Sequence, residues 1–136
     1  MTLEEIRLRR LAIGSISVLA AYCVFWMLVG GLTGTGTFRI QLFGDETDNV
    51  FNAMPWLTYA MLSVYAGLIF SSLVALLLHS RWCLAAMLIA IPWHLAMWSR
   101  VAFNPYMPAW PGLIFVALGV MTVLLQMALD RRGLLR

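Results

Sequence analysis

The chain has 136 residues, of which 62% are hydrophobic and 11% charged, with a formal net charge of +3. Soluble domains contain roughly 45–50% apolar and about 25% charged residues, so this composition excludes the soluble and the disordered classes. The small net charge and the lack of a basic stripe argue against a nucleic-acid partner, and the two cysteines are too few for a disulfide framework. The composition predicts an all-α membrane protein.

Four apolar stretches are candidates for membrane-spanning helices. A bilayer core of about 30 Å is crossed by a helix of about 20 apolar residues. The stretches cover residues 11–32, 56–78, 82–99 and 110–129, and none of them contains Asp, Glu, Lys or Arg. We therefore expect a single domain, residues 1–136, folded as a four-transmembrane-helix bundle.

The first stretch is expected to stay in the membrane as an anchor. It is longer than the apolar core of a signal peptide, which has about 7–15 residues. Thr2 is followed by Glu5 three positions later, a spacing typical of a capping box that begins a helix.

The arginines predict the orientation of the bundle, because cytoplasmic loops are enriched in Arg and Lys. Only Arg39 and Arg100 fall on one side of the four predicted spans, and the other seven fall on the side of both termini: Arg7, Arg9, Arg10, Arg81, Arg131, Arg132 and Arg136. Both termini are therefore predicted to be cytoplasmic. A bacterial inner (plasma) membrane is the most consistent location.

The predicted outer loop between the first two helices, residues 33–55, is unusually long for a bundle, in which connections usually have about 2–8 residues. It contains the acidic cluster Asp45, Glu46 and Asp48. We expect Arg100 to pair with this cluster and hold the loop over the bundle. Two roles stay open for the loop, a cap or a docking surface for a partner.

Small residues recur at a spacing of four, which is typical of faces where membrane helices pack closely. The predicted packing residues are Ser63, Gly67, Ser71 and Ala75 in the second helix, with Ala86 and Ala90 in the third. The short turn at 79–81 predicts that the two stripes face each other within the chain. A subunit interface, including that of a homo-oligomer, is the alternative.

His94 is the only imidazole predicted to lie well inside the membrane, and it follows Pro92, which is expected to kink the third helix. It has two interpretations: a core histidine that is hydrogen-bonded within the bundle, or a ligand contact. The candidate pocket residues are His94, Trp93, Trp98, Tyr59, Ser63 and Arg100. Gln126 is expected to bond Ser15 or Ser17 as structural glue.

The sequence predicts no catalytic residues, no metal and no cofactor. His79 and His94 are about fifteen residues apart along antiparallel neighbours, or about 22 Å at 1.5 Å per residue, too far to hold one haem. Cys23 and Cys83 are predicted at different depths, and no nucleophile or phosphate-binding motif occurs. An enzyme is therefore not expected.

The lack of charge within the spans, the small-residue faces and the long loop favour a function by interaction. We expect an accessory or assembly subunit of a larger membrane complex, such as a respiratory or photosynthetic one, with the lipid bilayer and other subunits as partners. The alternative is a small-molecule or lipid-binding or transport protein with an outer-side pocket around His94.

Overall fold

The fold is taken from a computed structural model, which describes residues 2–37, 39, 41, 56–99 and 110–136. These residues form four helices, α1 (Leu3–Gly34), α2 (Trp56–Leu77), α3 (Trp82–Ser99) and α4 (Trp110–Arg131). Each is long and apolar enough to cross a membrane. The prediction of an all-α fold with four helices of membrane-spanning length and composition is confirmed for this part of the chain, and the starts of α2, α3 and α4 agree with the sequence analysis.

Helix α1 is longer than its apolar stretch. It begins at Leu3 because Thr2 and Glu5 form the predicted capping box: the Thr2 amide donates to Glu5 Oε2 at 2.6 Å and the Glu5 amide donates to Thr2 Oγ1 at 3.2 Å. Its 32 residues extend over about 48 Å at helical rise. The charged segment 4–10 therefore continues the helix beyond the apolar span.

The four helices form a ring in which each one packs against two neighbours, in the order α1, α2, α3, α4 and back to α1. Contacts between Arg132 and Glu4, and between Arg9 and the Leu77 carbonyl, place both termini at one end. We call this the termini end, and we call the opposite end, where α1 leaves and α2 enters, the long-loop end. The cytoplasmic location of the termini end stays a prediction.

The turn between α2 and α3 is closed by a Schellman motif. The Ser80 amide donates to the Ala75 carbonyl at 2.8 Å and the His79 amide donates to the Leu76 carbonyl at 3.1 Å. This geometry requires a left-handed residue after the helix, and His79 has φ = 58°. A side chain therefore occupies a backbone conformation that glycine usually adopts.

The C-terminal segment folds back onto that turn. The Arg136 amide donates to the His79 carbonyl at 2.6 Å, and the Arg81 amide donates to the Arg136 carbonyl at 2.9 Å. Leu135 is buried beneath this segment, and Arg81 forms an ion pair with Asp130 at 2.7 Å. These contacts tie the end of α4 to the α2–α3 turn.

The predicted small-residue stripe of α2 is oriented differently from the expectation. Its buried residues are Leu62, Tyr65, Ala66, Ile69, Ser72 and Leu76. This spacing of three and four is the seam of ordinary bundle packing, and it turns Ser63, Gly67 and Ser71 to the exposed side. The prediction that these three residues face α3 is wrong.

The remaining packing residues lie closer to the interior. Ala75 and Ala86 are half-buried and Ala90 is fully buried. The Cys83 carbonyl on α3 accepts a hydrogen bond from Ser72 of α2 at 2.8 Å. Close contact between α2 and α3 is therefore made by Ser72 and by the buried seam, without the outward stripe.

The acidic cluster Asp45, Glu46 and Asp48, and also Arg100, lie outside the described residues. The predicted pairing of Arg100 with the cluster, and the role of the long loop, therefore stay predictions.

Candidate functional site: the His94 cluster and a groove between α1 and α2

His94 lies on the buried face of α3, which it shares with Cys83, Met87, Ala90 and Met97. Its side chain is only 1% exposed. Pro92 is exposed on the other side of the same helix, and because proline has no N–H, the carbonyl of Leu88 loses its helical donor there. The structure therefore places His94 in the core, but its Nε2 has no hydrogen bond to the described residues, whereas the core interpretation expected one.

Three aromatic rings lie close to the imidazole. Tyr65 of α2 stacks on it with centroids 4.5 Å apart and 29° between the planes. Tyr22 of α1 is 5.9 Å away and Trp98 is 6.4 Å away, while Tyr22 itself stacks on Phe115 of α4 at 3.7 Å. We call these five residues the His94 cluster, and all four helices contribute to it.

Two polar nitrogens in the cluster have no hydrogen-bond partner in the described part of the chain, His94 Nε2 and Trp98 Nε1. Both atoms are buried, and an unsatisfied buried polar group costs about 1–3 kcal/mol. Most buried polar groups in proteins are paired. The cluster is therefore held by ring packing, and its hydrogen-bonding capacity is incompletely used.

Trp98 is fixed by a close contact with α4. A methyl group added at Gly112 would overlap the Trp98 indole, and Gly112 is buried. Only glycine therefore lets the indole lie flat on α4. The second predicted tryptophan of α3, Trp93, has a different role. Its Nε1 donates to the Met61 carbonyl at 2.8 Å, which joins α3 to α2.

Tyr59 and Ser63 belong to a separate site near the long-loop end. They line a groove of about 310 Å³ between α1 and α2, together with Met27, Gly30, Gly31 and Leu62. The Tyr59 hydroxyl lies 3.2 Å from Thr33 Oγ1, and Ser63 Oγ donates to the Tyr59 carbonyl at 2.9 Å. The Tyr59 ring lies on Gly30, where a methyl group would overlap it.

The structure therefore does not unite the predicted pocket residues. Tyr59 and Ser63 line the groove, His94 is enclosed by aromatic rings, and Trp93 joins two helices. Arg100 lies outside the described residues. A continuous pocket would need the imidazole at the groove wall, but the bulky Tyr65 covers its face.

A polar centre nearer the termini end joins the helices through Gln126, for which the sequence analysis predicted such a role, and through Ser72, which it did not identify. Gln126 Nε2 donates to Ser72 Oγ at 3.1 Å, and Ser72 Oγ in turn donates to the Cys83 carbonyl at 2.8 Å. The expected bond from Gln126 to Ser15 or Ser17 is therefore wrong: the long Gln126 side chain crosses the bundle to α2. Ser15 instead accepts from Thr122 Oγ1 at 3.0 Å.

Among the described residues, no group of three or more His, Cys, Asp or Glu side chains could hold a metal ion. Cys23 and Cys83 are buried free thiols. Compared with protein-family models, with curated proteins and with solved structures, the chain matches none.

Proposed function

We propose that the protein acts by helix–helix interaction, as an accessory or assembly subunit of a larger membrane complex such as a respiratory or photosynthetic one. The observation that carries this proposal is the outward face of α2 formed by Ser63, Gly67 and Ser71. In lipid, helices associate where small residues let their backbones approach closely. A methyl group added at Gly67 would meet no described residue within 4 Å, so the described part of the chain leaves this face open to a partner helix.

The groove between α1 and α2 supports the same interaction. Ser63 belongs both to the outward face and to the groove lining. A partner helix that lies along α2 would therefore reach the groove at Ser63 and could insert a large apolar side chain beside Met27 and Leu62. Such an insertion adds packing area, which drives association in lipid.

The interior of the bundle favours interaction over transport. The four predicted spans contain no charged residue, whereas ion and proton pathways through membranes are usually marked by such residues. Ser72, Thr122 and the Gln126 amide nitrogen are engaged in hydrogen bonds between helices. These three polar groups thus serve to join helices. The arginine-rich termini end is proposed to face the cytoplasm of a bacterium.

The experiment is native purification of the tagged full chain in mild detergent, with particle size and co-purifying subunits measured together. We expect a stoichiometric larger complex that is lost in Gly67→Leu, because the added side chain blocks close approach. Gly14→Leu is the matched control, since Gly14 is also exposed, in α1, and a methyl group there meets nothing within 4 Å.

Two results would overturn the proposal. One is a wild-type chain that purifies alone. The other is a Gly67→Leu variant that keeps its partners to the same extent as Gly14→Leu. A chain that purifies alone would favour the alternative function, binding of a small apolar molecule or lipid in the groove beside Tyr59.

A further inference from the structure

We propose that the termini end binds anionic phospholipid headgroups through four exposed arginines. These are Arg7 and Arg10 of α1, and Arg131 and Arg136 at the end of α4 and in the segment after it. We call them the arginine rim. In the described part of the chain none of the four forms an ion pair.

The acidic groups at this end already have other partners. Glu4 pairs with Arg132 at 2.8 Å, Asp130 pairs with Arg81 at 2.7 Å, and the Glu5 carboxylate accepts the Thr2 amide at 2.6 Å. Seven arginines and three acidic residues leave a net charge of +4 here, 7 − 3. The arginines without an ion pair among the described residues are therefore the four of the rim and Arg9, and the charge of Glu5 offsets one of these five.

The contacts between helices fix the level of the rim relative to the membrane. Arg9 Nη2 donates to the carbonyl of Leu77, the last residue of α2, at 3.3 Å. The apolar stretch of α1 begins at Leu11, directly after Arg10. Arg7 and Arg10 are three positions apart and share one face of α1. The rim thus lies where the apolar spans end, at the level of lipid headgroups.

Arg9 adds positive charge behind this surface. Its Nη2 caps the end of α2, but its Nε is buried and has no hydrogen-bond partner among the described residues. A guanidinium group matches the oxygens of a phosphate through two parallel hydrogen bonds. A phosphodiester beside α1 would therefore find the exposed guanidinium groups of Arg7 and Arg10, with the positive charge of Arg9 close by.

The net charge of the whole headgroup, and not only its phosphate, is expected to decide which lipid binds. Phosphatidylglycerol carries a net negative charge, whereas the ammonium group of phosphatidylcholine cancels that of its phosphate. Basic residues at the membrane surface are attracted to the anionic lipid, and the attraction is weakened by salt. The rim is therefore expected to retain phosphatidylglycerol in preference to phosphatidylcholine.

The test uses the full chain in detergent, with dioleoylphosphatidylglycerol or dioleoylphosphatidylcholine added and the bound lipids counted by native mass spectrometry. We expect a preference for phosphatidylglycerol that falls about tenfold in the Arg7→Gln/Arg10→Gln double variant, since each basic residue near an anionic surface contributes to binding. Arg39→Gln is the control, because Arg39 is exposed and follows α1 at the long-loop end.

Helical content is compared by circular dichroism, and both variants should match the wild type because neither rim residue holds an ion pair. Inorganic phosphate, as a separate addition, is expected to leave the melting temperature unchanged while phosphatidylglycerol raises it. Equal retention of the two lipids, an unchanged preference in the double variant, or equal stabilisation by inorganic phosphate would each overturn the proposal.

Discussion

The two halves of the bundle interior are held together by different interactions. Toward the termini end, Ser72 and Gln126 link α2, α3 and α4, and Thr122 links α4 to Ser15 of α1. Toward the long-loop end, the His94 cluster brings the same four helices together through stacked and tilted rings. The buried centre of the first half is joined by hydrogen bonds between side chains, and that of the second is joined by ring packing. The hydrogen bonds of Tyr59 and Trp93 in the second half involve partly buried residues outside the cluster.

This difference predicts how each half responds to substitution. In lipid, a hydrogen bond between helices replaces no contact with water, and measured values average about 0.6 kcal/mol. Ring packing fills volume, and loss of a large buried ring costs about 3–5 kcal/mol. Removal of a polar atom should therefore lower the free energy of unfolding more in the first half than in the second. Removal of side-chain volume should lower it more in the second half.

The largest effect is expected for His94→Ala. The substitution leaves a cavity beside Tyr65, and large-to-small changes in a core cost about 2–5 kcal/mol. His94→Phe keeps a ring of similar size and removes the unpartnered Nε2, so its free energy of unfolding should stay within about 1.5 kcal/mol of the wild type. Reversible unfolding in mixed detergent micelles measures both variants.

The two variants together separate packing from chemistry. A stable His94→Phe protein that retains its partners assigns the imidazole a packing role. A stable His94→Phe protein that loses its partners or a bound ligand would show that a ring nitrogen is needed. Instability of His94→Phe equal to that of His94→Ala would contradict the claim that shape holds this half.

A smaller effect is expected for Ser72→Ala. The change removes the acceptor of the Gln126 amide and the donor to the Cys83 carbonyl, with an expected loss of about 1 kcal/mol in the free energy of unfolding. Gln126→Leu removes a side chain whose Oε1 already lacks a partner among the described residues, so it should be nearly neutral.

The double variant Ser72→Ala/Gln126→Leu decides whether these two residues act as a pair. Its stability should exceed that of Ser72→Ala alone, because no buried amide is then left unpaired. If the two single effects simply add in the double variant, the bond between Ser72 and Gln126 contributes nothing, and the contrast between the two halves fails.

The helices could be predicted from the sequence because charges and caps are local signals. Gaps between charged residues marked the apolar stretches, and Thr2 with Glu5 predicted the capping box at which α1 begins. Hydropathy alone would begin α1 at residue 11, because the membrane requires apolar residues and a helix does not. Segment 4–10 stays helical through its cap and its good helix formers.

The rotation of each helix was harder to predict. Two sets of residues in α2 repeat at helical spacing: the small residues at 63, 67 and 71, and the buried seam that contains Ser72. In lipid, hydrophobicity does not distinguish the inner from the outer face of a helix. Ser71 is thus exposed, whereas the adjacent Ser72 is buried. The burial of His94 could be predicted from its depth, but its unpartnered Nε2 depends on which rings surround it.

The smallest effect should come from the turn that closes the termini end. His79 has φ = 58°, where an L side chain costs about 1–2 kcal/mol and glycine does not. His79→Gly relieves this strain but adds freedom to the unfolded chain, about 0.4–1 kcal/mol, so a net gain of about 0.5 kcal/mol in the free energy of unfolding is expected. Gly133→Ala is the converse control, because Gly133 has φ = 69° after α4, and it should be destabilising. A loss of stability in His79→Gly would contradict this expectation. It would mean that the His79 side chain, in addition to its backbone carbonyl, holds the C-terminal segment in place.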